Sequence, residues 1–306
     1  MKGRNLAKSY SFVDGCIQES DVIRIIAQID ELNDKDKPNT TIFKWIRSSS
    51  EVTAYNFLWT ATHIVVNEKP ILEVLSLGRD GRVSLAVISG LSEEHVNSSA
   101  DGPISDGDLR DLQIIGKHIY VAGMSRQVYR RAGDGRWERM DSEVRQETSL
   151  EHVAGFNSIG GISENNICAV GFNGEIWRCV DKKWHQVESP TNVILNKVKV
   201  VDKNIAFACG QKGVLLRGRA DDWEVVNHDS VNEQFWGMEW FNNLLYLATD
   251  KMVYVLQSDD TLSPVDMGIN EDLTCAKLHA NDGLLLSVGR KHIMFTSDGE
   301  TWESFN

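Results

Sequence analysis

The sequence predicts an all-β protein built from repeats, and two observations carry this prediction. Short apolar stretches alternate with turns rich in Gly, Asp and Asn, and they are far too short for membrane helices. The same order of stretches and turns recurs about every 40 residues, with four strands in each copy. Repeats of this kind are typical of β-propeller blades, which bury their faces only against neighbouring blades. We therefore predict a single-domain β-propeller over residues 1–306.

Four copies share two landmarks, namely the end of the second strand and a residue 13 positions later. Successive copies are offset by 39, 39 and 40 residues. The constant interval predicts equivalent positions in successive blades. The landmark pairs are Gly171 with Trp184, Gly210 with Trp223, Thr249 with Leu262, and Gly289 with Trp302.

Two further copies precede these four. The stretch that begins at Ile119 has Gly123 and Trp137 as its landmarks and is one residue longer between them. The stretch from Ile64 repeats the plan less closely, with Asn67 at the end of its predicted second strand and a turn at 79–82. Together these stretches give six copies between residue 64 and the end of the sequence.

Residues 1–50 are less regular and leave two alternatives. Residues 10–13, 22–29 and 41–46 read as strands of a degenerate first blade, whereas residues 20–32 read as a helix capped by Ser20 or Asp21. Dividing the 306 residues by seven gives about 44 per blade. We predict seven four-stranded blades, and the alternative is six blades plus an N-terminal extension.

The segment Thr296–Trp302 resembles the Asp-box of sialidase-type and photosystem II assembly factor-type propellers, although one glycine of that pattern is missing. At the level of repeat architecture the resemblance covers about residues 110–306. It implies a propeller fold in which Asp298 accepts backbone N–H groups, Gly299 is left-handed and Trp302 packs between blades. An Asp-box is a folding device and carries over no catalytic residue.

The catalytic groups of a sialidase have no match in this sequence. Four arginines, Arg126, Arg130, Arg131 and Arg136, fall within one copy instead of being spread around a channel. The eight histidines lack metal-ligand spacing, and the five cysteines contain no CxxC pair. We expect no metal, no cofactor and no enzymatic activity, with the cysteines reduced and buried.

The formal net charge of −12 favours a basic protein partner and disfavours nucleic acid and anionic membranes. The N-terminal residues do not resemble a secretory signal, so we expect a cytoplasmic protein. Residues 93–111 hold six carboxylates and one arginine, and residues 221–239 hold six carboxylates with no Lys or Arg. Both runs are candidate binding segments.

Long connections lie on the same propeller face as the turns between second and third strands, and such loops often bind ligands. Residues 89–107 and 141–155 are the longest of these stretches. An aromatic anchor rimmed by carboxylates is typical of an interface hot spot. The predicted partner-binding residues are Asp101, Asp106, Asp108, Asp229, Glu233, Phe235, Trp236, Glu239 and Trp240.

These observations predict a non-catalytic protein-binding propeller. The function that we favour is that of an inhibitor or immunity-type protein, which neutralises a basic protein such as a toxin through its acidic loop face. One alternative is a glycan-processing propeller enzyme of the sialidase-like or lyase type. The other is an assembly chaperone similar to the photosystem II factor.

Overall fold

The computed structural model describes residues 6–68, 71–88, 90–99, 102–133, 135–146, 153–228, 230–269 and 272–305. Within these ranges the chain forms seven antiparallel sheets, each made of four strands that are consecutive in the sequence. The fold is a seven-bladed β-propeller. The prediction of seven blades is confirmed, and the alternative of six blades with an extension is wrong.

The first three blades contain twelve strands and two short helices. Blade 1 is formed by β1 (Tyr10–Glu19), β2 (Val22–Ile29), β3 (Thr40–Ile46) and β4 (Glu51–Phe57), with α1 (Asp30–Asn33) between β2 and β3. Blade 2 is formed by β5 (Ala61–Asn67), β6 (Glu73–Gly78), β7 (Arg82–Val87) and β8 (Gly90–His95), and α2 (Pro103–Asp106) follows it. Blade 3 is formed by β9 (Leu109–Ile115), β10 (His118–Gly123), β11 (Val128–Gly133) and β12 (Arg136–Arg139).

The remaining four blades are more regular. Blade 4 is formed by β13 (Phe156–Ser163), β14 (Asn166–Gly171), β15 (Ile176–Val180) and β16 (Lys183–Val187). Blade 5 is formed by β17 (Leu195–Val200), β18 (Ala206–Gly210), β19 (Leu215–Arg219) and β20 (Asp222–Val225). Blade 6 is formed by β21 (Gly237–Phe241), β22 (Leu244–Ala248), β23 (Val253–Leu256) and β24 (Leu262–Pro264). Blade 7 is formed by β25 (Lys277–Asn281), β26 (Leu284–Val288), β27 (Ile293–Thr296) and β28 (Glu303–Ser304).

Two details of the sequence reading are corrected by these strands. Residues 22–29 form strand β2, so the alternative of a helix over 20–32 is wrong, and only Asp30–Asn33 is helical there. The copy that begins at Ile64 was placed one strand out of register, because Ala61–Asn67 is the first strand of its blade and not the second. That blade lacks the tryptophan landmark, so spacing alone could not fix its register.

The chain comprises two compact units: unit 1 is Met1–Gly78 with Trp236–Asn306, and unit 2 is Arg79–Phe235. In unit 1, blades 1 and 7 share an apolar core that includes Ile25, Trp45 and Phe295. The first and last blades meet as complete sheets, each built from its own consecutive strands. The Ile17 amide donates to His279 Nδ1 at 3.2 Å, which joins β1 to β25.

In unit 2 the apolar cores likewise lie between neighbouring blades. Phe156 and Trp184 stack at 5.9 Å between ring centroids in the core shared by blades 3 and 4. Side chains of the first strands also bridge successive blades: Asp111 Oδ2 accepts the Ile159 amide at 3.0 Å, and Ser158 Oγ accepts the Val198 amide at 3.2 Å. These hydrogen bonds fix the spacing of the first strands within the unit.

The turn at Thr296–Trp302 has the hydrogen bonds that its sequence predicts. Asp298 Oδ1 accepts the amides of Glu300 and Thr301 at 2.8 and 2.7 Å, and Gly299 has a φ of +85°. Hydrogen bonds from the backbone lower the pKa of Asp298 to about 2. Trp302 packs against the core shared by blades 6 and 7.

The five cysteines are buried and unpaired, as the sequence predicts. Burial raises the pKa of the Cys168 and Cys209 thiols to about 12, because the charged thiolate is disfavoured in an apolar interior. Both therefore act as small core residues.

Candidate partner-binding surface

Each blade has two edges where the chain reverses direction. The loop edge carries the connections between blades and the turns between second and third strands, whereas the turn edge carries the other two reversals of each blade. Alternation of strand direction places these segments at opposite ends of every sheet. The connections of the loop edge are residues 58–60, 96–108, 140–155, 188–194, 226–236 and 265–276.

The predicted residue Asp106 lies at the loop edge of unit 2, but its carboxylate is buried and engaged. It is 6% exposed and contacts Arg139 at 3.1 Å and Arg145 at 2.5 Å. Asp141, which is 1% exposed, also binds Arg139, at 3.0 Å, and accepts the Val128 amide. The carboxylates of the long connections therefore neutralise arginines inside the protein.

Other members of the first acidic run are engaged in different ways. Asp108 is half-exposed and forms an ion pair with Arg79 at 3.5 Å. Asp111 is buried in β9, where Lys197 Nζ lies 3.2 Å from its Oδ1. Asp101 lies outside the described residues. The stretch 89–107 also contains strand β8, so the connection that follows it is shorter than the sequence suggested.

The second acidic run separates into exposed and buried members. Glu233 is exposed, whereas Phe235 is fully buried and its carbonyl accepts the Asn196 side-chain amide at 2.8 Å. The next residue, Trp236, is 45% exposed and its amide donates to Ala248 at 2.8 Å. The two adjacent aromatic residues therefore differ in burial, just before β21 begins at Gly237. Asp229 lies outside the described residues.

Glu239 and Trp240 lie in β21 of unit 1 and not in a connection. Glu239 is buried, and its Oε1 accepts the Trp240 amide at 2.9 Å, while Trp240 is half-buried. A role for Asp106, Phe235 and Glu239 in partner binding therefore stays a prediction. The burial of their side chains argues against it. Glu233 and Trp236 are the predicted contact residues of this run that the structure shows exposed.

Two exposed apolar residues of the loop edge were not predicted from the sequence. Leu58 is 91% exposed in the connection after blade 1, and Ile104 is 71% exposed in α2. Both stand beside residues that are buried, since Trp59 and Pro103 are covered. Leu58 and Ile104 are apolar by composition, and nothing in the sequence distinguishes them from core residues.

A cleft in unit 1 was also not predicted from the sequence. It has a volume of about 830 Å³ and lies between the connection 265–276 and the turn at 250–252. Met252, Met267 and Leu273 line it, and the carboxylates of Asp250 and Asp272 are among its exposed members.

The arginines grouped in blade 3 are mostly paired with carboxylates. Arg126 forms two hydrogen bonds of 2.8 Å with Glu175, and Arg131 Nε lies 2.7 Å from Glu94. Arg130 Nη2 contacts Glu138 of its own blade at 2.5 Å, and its Nη1 lies 3.1 Å from Glu164 of blade 4. Three of the four arginines thus serve to hold blade 3 against its neighbours.

No group of three or more His, Cys, Asp or Glu side chains in the part of the chain that the structure describes is placed to hold a metal ion. The helices described are too short or too polar to cross a bilayer.

Solved structures with a similar fold include β-propellers, and their low identities show the fold alone. The WD40 propeller domain of Doa1 matches with a TM-score of 0.73 and 9% identity, covering 94% of this chain and 93% of that one. Virginiamycin B lyase from Staphylococcus aureus gives 0.70 and 12%, covering 95% of both chains. YCF48 bound to D1 peptide gives 0.66 and 11%, covering 92% and 90%.

Sequence comparison gives a relative of the same length. No protein-family model matches the chain. The immune protein Tsi7 of Pseudomonas aeruginosa strain PAO1 is 33% identical over 302 residues, which cover 98% of each protein. An immunity-type binding protein fits both this relative and the propeller fold. The chain belongs to the family of the immune protein Tsi7.

Proposed function

We propose that this chain is a non-catalytic immunity protein that binds and neutralises a basic protein toxin through the loop edge of its blades. The relative named immune protein Tsi7 supports the immunity role. The net charge of −12 supports a basic partner, because opposite charges accelerate encounter and select against acidic proteins.

The observation that carries the choice of edge is Trp236, an exposed tryptophan in one of its connections, because tryptophan is enriched among interface anchors, whereas the turn edge exposes isoleucines such as Ile88. Leu58 and Trp236 of unit 1 are 91% and 45% exposed, and Ile104 of unit 2 is 71% exposed. Such side chains contribute little to folding where they stand, whereas each would bury apolar area against a partner. Leu58, Ile104 and Trp236 therefore form the candidate anchors, and the exposed carboxylate of Glu233 comes shortly before Trp236 in the sequence.

Binding kinetics with a partner recovered by pull-down from the native host would test the proposal. Leu58→Ala and Trp236→Ala should each raise the dissociation rate about tenfold or more, because truncating an interface anchor commonly costs 2 kcal/mol or more. Thermal unfolding should change little, since both side chains are exposed.

A matched control exists at the turn edge. Ile88 is 89% exposed in the turn between β7 and β8, so Ile88→Ala removes a similar apolar surface from the opposite edge. The proposal expects this variant to bind like the wild type. If Ile88→Ala weakens the complex and the two loop-edge variants do not, the proposed surface is wrong.

A further inference from the structure

The cleft in unit 1 combines an apolar lining with charges at its mouth. Met267 and Cys275 are buried, and Met252, Ile269 and Leu273 are half-buried. All the charged residues that line it are exposed, which places them at the rim. A cavity of about 830 Å³ falls within the range of pockets that enclose several side chains.

Carboxylates outnumber cations at this rim. Asp250, Asp266 and Asp272 face the cleft together with Lys251 and Arg290. The Arg290 guanidinium is directed elsewhere, because its Nε donates to Ser11 Oγ at 3.2 Å.

The hydroxyl of Ser11 in turn donates to Asp30 at 2.6 Å, so blade 1 holds Arg290 near a carboxylate of its own. With Arg290 directed away, three aspartates and one lysine are left at the rim, so its net charge is negative.

This combination selects a particular kind of occupant. Methionine side chains adapt their shape and pack well against aliphatic chains. Lysine and arginine have aliphatic stems that prefer apolar contact and charged ends that stay near water or carboxylates. An acidic segment would be repelled at the rim, and a wholly apolar one would desolvate carboxylates without compensation.

We propose that this cleft receives a cationic, amphipathic segment of the basic partner, with aliphatic stems on the methionine lining and cationic ends at the Asp250, Asp266 and Asp272 carboxylates. The inference rests on the proposed function and assigns a specific subsite to it. The subsite differs from the exposed anchors. The cleft would enclose side chains of the partner, whereas the anchors are side chains of this chain that would insert into the partner.

Methionine methyl groups report directly on occupancy. The probe is a short synthetic peptide in which leucine alternates with arginine, titrated into the full chain carrying ¹³C-labelled methionine methyls. The resonances of Met252 and Met267 should shift, while those of Met124 and Met140 in unit 2 should not. A peptide with glutamate in place of arginine should leave all four unchanged.

The variant Asp250→Asn/Asp266→Asn/Asp272→Asn keeps the shape of the rim and removes its charge. It should weaken binding of the arginine peptide about tenfold, since exposed ion pairs are individually weak. The matched control Glu19→Gln/Asp34→Asn/Asp36→Asn changes the net charge equally at exposed positions that do not line the cleft and should bind like the wild type.

Two results would overturn the subsite. One is that Met252 and Met267 respond equally to both peptides or to neither, and the other is that the rim variant binds as tightly as its control. Partner kinetics separate this failure from that of the proposed function. A partner sensitive to Leu58→Ala but not to the rim variant removes the subsite and leaves the immunity role intact.

Discussion

The connection 96–108 of unit 2 and the connection 265–276 of unit 1 have the same place in their repeats but use carboxylates differently. Asp106 in the first is buried between Arg139 and Arg145, whereas Asp272 in the second is exposed at the rim of a cleft. The acidic residues that a loop sequence contains therefore do not all contribute charge to the surface. One connection is stabilised by its acids, and the other presents them.

The largest effect that distinguishes the two connections should appear in stability. Asp106→Ala leaves Arg139 and Arg145 short of a buried carboxylate and should lower the free energy of unfolding by about 2–3 kcal/mol. This value is below the range for fully buried pairs because both arginines keep some contact with water. Urea unfolding monitored by tryptophan fluorescence would measure it.

The matched variant is Asp272→Ala, which removes an exposed carboxylate and should change stability by no more than about 0.5 kcal/mol. Equal losses in the two variants would show that the connections do not differ in the way described.

A smaller effect should separate two tryptophans at equivalent landmarks. Trp184 Nε1 donates to the Met140 carbonyl at 2.9 Å and so anchors the start of the connection 140–155, whereas Trp223 Nε1 has no acceptor among the described residues. Trp184→Phe should cost about 1 kcal/mol more than Trp223→Phe, because it leaves a carbonyl unsatisfied. Denaturant midpoints of the two variants would check the difference, and equal midpoints would contradict it.

The smallest effect is a pH dependence at the turn edge. Backbone hydrogen bonds lower the pKa of Asp298 from 3.8 to about 2, so its contribution to stability is full above about pH 4 and is lost as the pH falls to about 2. Asp298→Asn should therefore be less stable than the wild type at pH 5 and similar to it near pH 2. Melting temperatures across this interval would test the sign, and a constant difference would contradict it.

The fold was predictable because its information is local and repeated. Each of the last four copies carries a glycine or threonine at the end of the second strand and a tryptophan or leucine 13 positions on, and the turn at Asp298 closes with neighbours that follow it directly. Blade 2 was misaligned because it lacks the tryptophan, so its register depends on pairing that spacing does not reveal.

The site was less predictable because its determinants are distant or depend on side-chain direction. The arginines that neutralise Asp106 follow it by 33 and 39 residues. The composition of residues 93–111 alone therefore overstates the negative charge at the surface of this segment. Phe235 and Trp236 are adjacent and aromatic, and only the backbone direction decides that one is buried and the other exposed. The cleft beside Met267 arises from how a connection packs, which no motif encodes.

Hydrogen exchange of the chain alone and in complex with the recovered partner tests the central claim most directly. The account predicts new amide protection at the loop edge, in the connections 58–60, 102–108, 230–236 and 272–276, with little change in the turns between third and fourth strands. Protection confined to those turns, including residue 88 and residues 297–302, would contradict it.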